Sequence, residues 1–246
     1  MGSVIAVLSG KGGTGKTTVC AGISIALSCM DARVLCIDCD VGLRNLDIPL
    51  GLADSGALSF QDVTQGGYSL NEALRHPDYP NLSFLTAPMN LRVDQIDADA
   101  FRAMLCAARN QFDYILLDAP AGVEGGFHLA ASAADRCIVV TGSGPASVRD
   151  AARVGQILEL AGKNDVRILV NRVDRVMLSV LDQTIDDVMD DAGLPLIGVV
   201  LEDPDVPMAA AGGKSLLAYN KRSGTAKAFK RIARRIQGYP EPIKIR

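Results

Sequence analysis

The chain reads Gly10-Lys11-Gly12-Gly13-Thr14-Gly15-Lys16-Thr17-Thr18 at residues 10–18, and this stretch decides the fold. It fits the pattern G-x-x-x-x-G-K-[ST], with an apolar, strand-like run before it and a segment of helical periodicity after it. Glycines allow consecutive backbone N–H groups to turn toward one anion, and the helix that follows places its positive dipole end beneath that anion. All nine residues are therefore predicted to form a phosphate-binding loop.

Two residues give this loop its predicted chemistry. The Lys16 ammonium is expected to reach the β and γ phosphates, and the Thr17 hydroxyl is expected to ligate magnesium. The same glycines also satisfy the G-x-G-x-x-G pattern of dinucleotide-binding folds, with Asp31 and Asp38 at suitable distances for a ribose contact. That pattern has no use for Lys-Thr-Thr after its last glycine, so a nucleoside triphosphate with Mg²⁺ is favoured over a nicotinamide or flavin dinucleotide.

Strand-like apolar runs alternate with helical patterns along almost the whole chain of 246 residues. We predict strands at 3–9, 33–38, 82–86, 113–118, 136–141, 166–171 and 196–201, and helices near 16–30, 98–110, 146–161 and 179–191. Short strands that are almost wholly apolar are typical of a sheet covered on both faces. The sequence thus predicts one α/β domain over 1–246, with a doubly wound, mainly parallel sheet of about seven or eight strands and the P-loop NTPase fold.

Several classes of protein are disfavoured by the sequence. No secretory signal and no run of about 20 apolar residues is present, so we expect a cytoplasmic protein. Six cysteines fall mostly within predicted helices and strands, as expected of small buried side chains in a reducing compartment. Cys36 and Cys39 have C-x-x-C spacing, but residues three apart on a strand point to opposite faces, which disfavours a shared metal.

Carboxylates follow two of the predicted strands at the edge where the loop lies. Asp38 and Asp40 end the second strand, and Asp118 follows an apolar run in the Walker B pattern. We predict that Asp40 orients the attacking water and that Asp38 and Asp118 lie at the magnesium ion with Thr17. The glycine-rich segment 119–126 is expected to move when the γ-phosphate leaves.

Lys11, a second lysine just after the first glycine, identifies a resemblance to the deviant Walker A (MinD/ParA) ATPases. The similarity is strongest to the MinD branch and extends in order from residue 3 to about residue 215. It is carried by residues 40–47, 118–122 with Glu124, 147–150, and 195–199 followed by Glu202-Asp203.

This resemblance implies an ATP-driven homodimer in which Lys11 reaches the nucleotide of the partner subunit. It also implies an activator protein that docks near Ser147–Arg153. Adenine contacts are implied for the Asn171-Arg172 pair and for the region that begins with Glu202 and Asp203 and ends at Val206. Lys11, Lys16 and Asp40 are then the candidate catalytic residues.

The C-terminal segment departs from that family. Residues 214–246 carry ten Lys or Arg and one Glu, so their net charge is +9, against −12 for residues 1–213. Thr225–Gln237 is predicted to form an amphipathic basic helix, and we favour its packing on the acidic body. Membrane-surface binding through this helix is the alternative hypothesis, and DNA binding is less favoured. The short tail 238–246, with two prolines, takes the place of the family's membrane-targeting helix.

The favoured function is a MinD-type ATPase that positions cell division or another cell-surface assembly. The alternatives are a ParA-type partition ATPase that binds DNA, a metal-delivery ATPase of the same superfamily, and a nucleotide-gated interaction module. The metal-delivery hypothesis is disfavoured because no cluster-ligating cysteine follows Asp118. Hydrolysis is expected to be slow without a partner.

Overall fold

The computed structural model describes residues 1–53, 55–180 and 184–243. In this part of the chain, eight strands form one sheet. The strands are β1 (Ser3–Leu8), β2 (Val34–Asp38), β3 (Leu74–Arg75), β4 (Leu82–Leu85), β5 (Tyr114–Asp118), β6 (Arg136–Thr141), β7 (Asp165–Val173) and β8 (Leu196–Leu201).

Eleven α-helices are found in the same described residues. They are α1 (Lys16–Ser28), α2 (Asp47–Leu50), α3 (Phe60–Thr64), α4 (Ala98–Ala108), α5 (Gly126–Ala133), α6 (Pro145–Leu160), α7 (Arg175–Val180), α8 (Ile185–Ala192), α9 (Asp205–Ala211), α10 (Leu216–Tyr219) and α11 (Gly224–Ile236). Short 3₁₀ turns occupy Leu70–Glu72 and Val93–Gln95.

The strand order β3-β4-β2-β5-β1-β6-β7-β8 places β1 in the interior of the sheet. All neighbouring pairs are parallel except β3 with β4, which is antiparallel. In this register Asp38 lies beside Asp118, and Asp118 lies beside Val7. The ends of β1, β2 and β5 therefore meet at one edge, where a ligand site is expected in an open α/β sheet.

The sheet separates two hydrophobic cores. Side chains from α3 to α8 cover one face, and α1, α2 and α9 to α11 cover the other. Helices α1 and α11 touch closely, because a Cβ atom at Gly22 would lie 2.3 Å from the Phe229 ring. A Cβ atom at Gly198 of β8 would likewise lie 2.4 Å from Ile232. Glycine at these two positions lets α11 dock on the body.

The predicted fold class is confirmed, and the seven predicted strands agree with the structure to within two residues at either end. The eighth strand, β3, was missed because two residues carry no periodicity. The single helix predicted near 179–191 is wrong in its first part: Thr184 has an extended backbone, with φ of −106° and ψ of 166°, and α8 begins at Ile185. Residues 181–183 of that prediction lie outside the described residues. Asp187, which closes a capping box with Thr184, marks the start of α8.

Four of the six cysteines are buried as predicted, whereas Cys29 and Cys106 are exposed, so the prediction of buried side chains is wrong for these two. The predicted separation of Cys36 and Cys39 is confirmed. Cys36 belongs to one core and Cys39 to the other, so their sulfurs lie on opposite faces of the sheet. Cys36 instead lies 3.8 Å from the sulfur of Cys20 on α1, and both side chains are fully buried.

The basic C-terminal helix packs on the body, as the favoured hypothesis stated. The apolar face of α11 is buried, with Phe229 and Ile232 each 1% exposed. This face is therefore covered by the body in the folded helix, and membrane binding through Thr225–Gln237 stays a prediction. Arg235 donates to the carbonyl oxygens of Ile197 and Glu241, which holds the chain after α11 against β8.

No helix in the described ranges is both long and apolar enough to cross a lipid bilayer.

Candidate functional site

The loop between β1 and α1 exposes backbone donors. Gly13 and Gly15 have φ of +81°, a left-handed conformation that favours glycine. Helix α1 begins at Lys16 without a side-chain cap, so its first N–H groups keep no intrahelical partner. A Cβ atom at Gly12 or Gly13 would meet nothing within 4 Å, so the loop borders open space. This is the geometry of an anion site at a helix N-terminus.

Lys16 and Asp118 form a buried ion pair at the base of the loop. The Lys16 Nζ atom lies 2.6 Å from Asp118 Oδ1, and the two side chains are 7% and 1% exposed. Nζ also donates to the Thr17 hydroxyl at 3.3 Å. Burial opposes the charge on Lys16, but Asp118 outweighs it, so the lysine pKa is raised. The structure thus brings together the lysine, hydroxyl and carboxylate predicted from the two Walker patterns.

Asp38 shapes the loop that follows β2. Its carboxylate accepts hydrogen bonds from the backbone N–H groups of Asp40, Asn45 and Leu46 at 2.9, 3.0 and 3.1 Å. Burial and the neighbouring Asp118 raise the pKa of Asp38 to about 6. Both oxygens are used by the backbone, so the structure shows Asp38 as an organiser of this loop. Its role as a magnesium ligand stays a prediction.

Asp40 is half-buried at the start of the same loop. Its carbonyl oxygen accepts from Leu43 and Arg44, and Gly42, with φ of +90°, donates to the carbonyl of Pro88. Burial raises the pKa of Asp40, and the charge of Lys16 opposes that shift. Asp40 therefore lies close enough to Lys16 to feel its charge, on the rim where a water-orienting carboxylate is needed.

Lys11 projects from the outer side of the loop. Its Nζ atom lies 3.8 Å from Asp150 Oδ2 on α6, and both side chains are 42% exposed. A Cβ atom at Gly10 would lie 2.8 Å from Asp150 Cβ, so glycine allows α6 to approach the loop. The segment Ser147–Arg153, predicted to dock an activator, is therefore adjacent to Lys11. Sequence reasoning missed Asp150 as the partner of Lys11, although it lay inside the quoted segment 147–150.

The residues predicted to contact adenine gather beside the loop. Asn171 Nδ2 donates to the carbonyl of Thr14 at 2.8 Å, and Arg172 donates to Glu202 at 2.8 Å and to the carbonyl of Gly13 at 3.3 Å. They border a cavity of about 360 Å³. Its lining is Gly15, Thr18, Asn171, Arg172, Val200, Leu201, Glu202, Asp203, Val206, Pro207, Ala210, Thr225 and Phe229.

Apart from Val206, which belongs to the segment assigned to adenine, the apolar part of that cavity was not predicted. Val206, Pro207 and Ala210 come from α9, and Phe229 comes from α11. Pro207, Ala210 and Phe229 are apolar residues, and nothing in their spacing marks them as part of a site. A second cavity of about 300 Å³ lies on the outer side of the loop and is lined by Lys11 but not by Lys16. Lys16 lines neither cavity, because it turns inward to Asp118.

The residues fit a magnesium-bound nucleotide. The site offers the ammonium of Lys16, uncapped backbone donors and a hydroxyl on Thr17, together with a buried carboxylate on Asp118. The buried Thr14 hydroxyl has no hydrogen-bond partner in the structure, so the loop also carries a spare polar group. Phosphates match the donors, and the oxygen ligands are those that Mg²⁺ prefers.

Comparison with known proteins agrees with this geometry. A family model for the CobQ/CobB/MinD/ParA nucleotide binding domain matches residues 5–217. The septum site-determining protein MinD of Synechocystis sp. is 36% identical over 245 residues, which cover 99% of this chain and 92% of that protein. The chain belongs to the MinD family.

Two solved structures of MinD proteins extend the likeness to three dimensions. A chain of the MinC:MinD cell division protein complex of Aquifex aeolicus has a TM-score of 0.90 and 33% identity, covering 98% of both chains. MinD of Pyrococcus horikoshii, solved with Mg-ADP, has a TM-score of 0.84 and 30% identity, covering 96% of both chains. MinD/ParA proteins are P-loop ATPases, so family membership and the observed loop indicate the same class of ligand.

Proposed function

We propose that this protein is a Mg-ATP-dependent, dimerising ATPase of the MinD type that acts as a nucleotide switch in the positioning of cell division. One observation carries the proposal: Lys16 faces inward to Asp118, whereas Lys11 lines a separate cavity on the outer side of the same loop. A single subunit needs only the inner lysine to hold phosphates. The outer lysine is placed to serve a nucleotide held by a second copy of the chain.

The chemistry is divided among residues from four segments. Lys16 and the first N–H groups of α1 would bind the phosphates, and Thr17 and Asp118, with Asp38 behind them, would hold Mg²⁺. When bound there, Mg²⁺ would supply positive charge that offsets the charge developing on the phosphate oxygens. Asp40 orients the attacking water, and the cavity beside Asn171 receives the base. Lys11 from the partner subunit adds positive charge at the transferred phosphate.

The start of α6 is proposed to dock an activator or effector protein. Ser147–Arg153 contains Asp150, which contacts Lys11, so a protein bound there can act on the loop through one ion pair. A MinC:MinD complex is known from Aquifex aeolicus. For this chain we propose that a partner of the MinC type binds a surface that includes α6. A cytoplasmic location, with peripheral attachment at the inner face of the membrane, is part of the same proposal.

Two variants test the nucleotide switch. Lys16→Ala should lose ATP binding, because the phosphates lose their mobile cation. Asp40→Ala should still bind Mg-ATP but stall as an ATP-bound dimer with turnover lowered by 10²-fold or more, on the order of what a misplaced catalytic base costs. Calorimetry measures ATP binding, phosphate release measures turnover, and light scattering after size exclusion measures the dimer.

The controls match the variants in charge but lie away from the site. Lys227→Ala on α11 and Asp99→Ala on α4 remove an exposed lysine and an exposed aspartate, and both should bind and hydrolyse ATP like the unaltered chain. Undiminished turnover in Asp40→Ala would remove Asp40 from its assigned role. An ATP-bound protein that stays monomeric at all concentrations would contradict the dimer.

The partition hypothesis is the main competitor, and it is separable by experiment. The family relatives are named MinD, which favours a role in division. Non-specific DNA binding by the basic face of α11 should appear as an electrophoretic shift that weakens steeply with salt. Co-sedimentation with anionic vesicles in the same buffers tests membrane binding instead. ATP turnover measured with DNA and with vesicles shows which of the two stimulates hydrolysis.

A further inference from the structure

The Lys16–Asp118 ion pair places two groups of the proposed nucleotide site in direct contact with each other. The pair is nearly fully buried, at 7% and 1% exposure, and its length of 2.6 Å is short for a charge-assisted hydrogen bond. Lys16 also donates to Thr17, the second predicted magnesium ligand. The phosphate-binding lysine is therefore held by the two residues that are assigned to the metal.

Each partner depends on the other for neutralisation. A buried charge that loses its partner is costly, because water cannot replace the lost interaction. Asp118 also lies beside Asp38 in the sheet register, so without Lys16 two carboxylates would face each other at the edge of the sheet. Lys16, in turn, has Asp118 as its nearest ion-pair partner among the described residues.

We propose that Lys16 and Asp118 exchange partners when the nucleotide binds, and that this exchange couples the binding of nucleotide to the binding of Mg²⁺. Lys16 must leave Asp118 to donate to a phosphate. Asp118 then needs another cation, and Mg²⁺ is the one that arrives with the nucleotide. A nucleotide without metal, or metal without nucleotide, leaves one buried charge uncompensated. Asp118 thus lowers the affinity for nucleotides that carry no metal, in addition to its assigned role as a magnesium ligand.

The inference rests on the proposed function, and Asp118→Asn tests it with a readout other than hydrolysis. The variant removes the negative charge but keeps a side chain of the same size, so Lys16 is free to meet a phosphate. Calorimetric titration with ADP in EDTA should show binding at least about tenfold tighter than in the unaltered chain. With Mg²⁺ present, the unaltered chain should gain affinity strongly and the variant should gain little.

Asp40→Asn is the matched control, because Asp40 feels the charge of Lys16 but forms no ion pair with it in the structure. It should change the affinity for metal-free ADP less than threefold. If Asp118→Asn binds metal-free ADP no tighter than the unaltered chain, the exchange is wrong. An equal gain in Asp40→Asn would also overturn it, because the effect would then be general electrostatics.

A second variant tests the reciprocal half without nucleotide. Lys16→Met removes the cation that occupies Asp118, so the protein should bind Mn²⁺ alone, detected as the loss of the free-ion signal in electron paramagnetic resonance. The unaltered chain should bind Mn²⁺ at this site only with nucleotide, and the double variant Lys16→Met/Asp118→Asn should not bind it at all. Absence of Mn²⁺ binding in folded Lys16→Met would contradict the exchange.

These experiments also separate the two proposals. If the unaltered chain fails to bind Mg-ADP and Mg-ATP, the proposed function fails. If it binds both, but metal-free ADP binds the unaltered chain and Asp118→Asn equally, the function stands and only the exchange fails.

Discussion

His76 shows how one buried residue makes stability depend on pH. Its Nε2–H group donates to the carbonyl of Leu50 at 2.8 Å, and Nδ1 accepts from the N–H group of Asp78 at 3.1 Å. The neutral ring satisfies both contacts. Burial lowers the pKa of His76 from 6.5, although the Leu50 carbonyl opposes the shift. The unfolded chain therefore takes up this proton more readily than the folded one.

We predict that His76 lowers the stability of the fold as the pH falls, because its ring becomes protonated. The contribution of His76 is fully present above pH 6.5 and is lost as the pH decreases through the lowered pKa, with a slope of at most about 1.4 kcal/mol per pH unit. Urea unfolding at pH 7.5 and at pH 5 measures it. The loss between these two values should be smaller in His76→Gln than in the unaltered chain.

The control is the other histidine of the chain. His128 on α5 is exposed, so His128→Gln should show the same pH dependence as the unaltered chain. Equal losses in all three proteins would show that His76 is not responsible.

At the scale of elements, α1, which begins at the phosphate-binding loop, packs closely against α11. Gly22 lies in the middle of α1, where alanine would normally favour the helix by about 1 kcal/mol. Here a Cβ atom would penetrate the fully buried Phe229 ring, so we predict that Gly22→Ala destabilises the fold by about 1–3 kcal/mol. Denaturant unfolding measures the loss.

Gly224→Ala is the control for Gly22→Ala within the same pair of packed helices, α1 and α11. Gly224 begins α11, and a Cβ atom there would meet nothing within 4 Å. This variant should stay within about 0.5 kcal/mol of the unaltered chain. If Gly22→Ala were as stable, α1 and α11 would not be packed as tightly as the structure shows.

At the scale of the whole molecule, the site draws on segments that are far apart in the chain. The loop at 10–18, the residues after β2 and β5, and the lining from α9 and α11 come together only when the sheet is complete. A ligand that binds all of them should stabilise the protein against global unfolding, because the unfolded chain has no such site.

We therefore predict that Mg-ADP raises the melting temperature. At a hundredfold excess over its dissociation constant the stabilisation is about 2.7 kcal/mol. For a chain of this size that corresponds to several degrees, at roughly 2–4 °C per kcal/mol. Thermal denaturation followed by circular dichroism measures it. Lys16→Ala should show no shift, whereas the exposed-lysine control Lys227→Ala should keep it; a shift retained in Lys16→Ala would mean that Mg-ADP binds elsewhere.

The sequence alone determined the phosphate-binding loop, the two strand-end carboxylates and the alternation of strands and helices. These features are local: a turn that needs glycine, a helix start and a run of apolar residues are each encoded within about ten neighbouring residues. For the same reason the seven longer strands could be predicted, but the two-residue β3 could not.

Only the tertiary structure decided which side chains pair. The Lys16–Asp118 and Lys11–Asp150 contacts join residues more than a hundred positions apart, and they depend on strand register and on how closely α6 approaches Gly10. The fate of the basic helix was decided in the same way. Its amphipathic pattern favoured packing on the body but also allowed lipid binding. The space left by Gly22 and Gly198 is what lets its apolar face pack into the core.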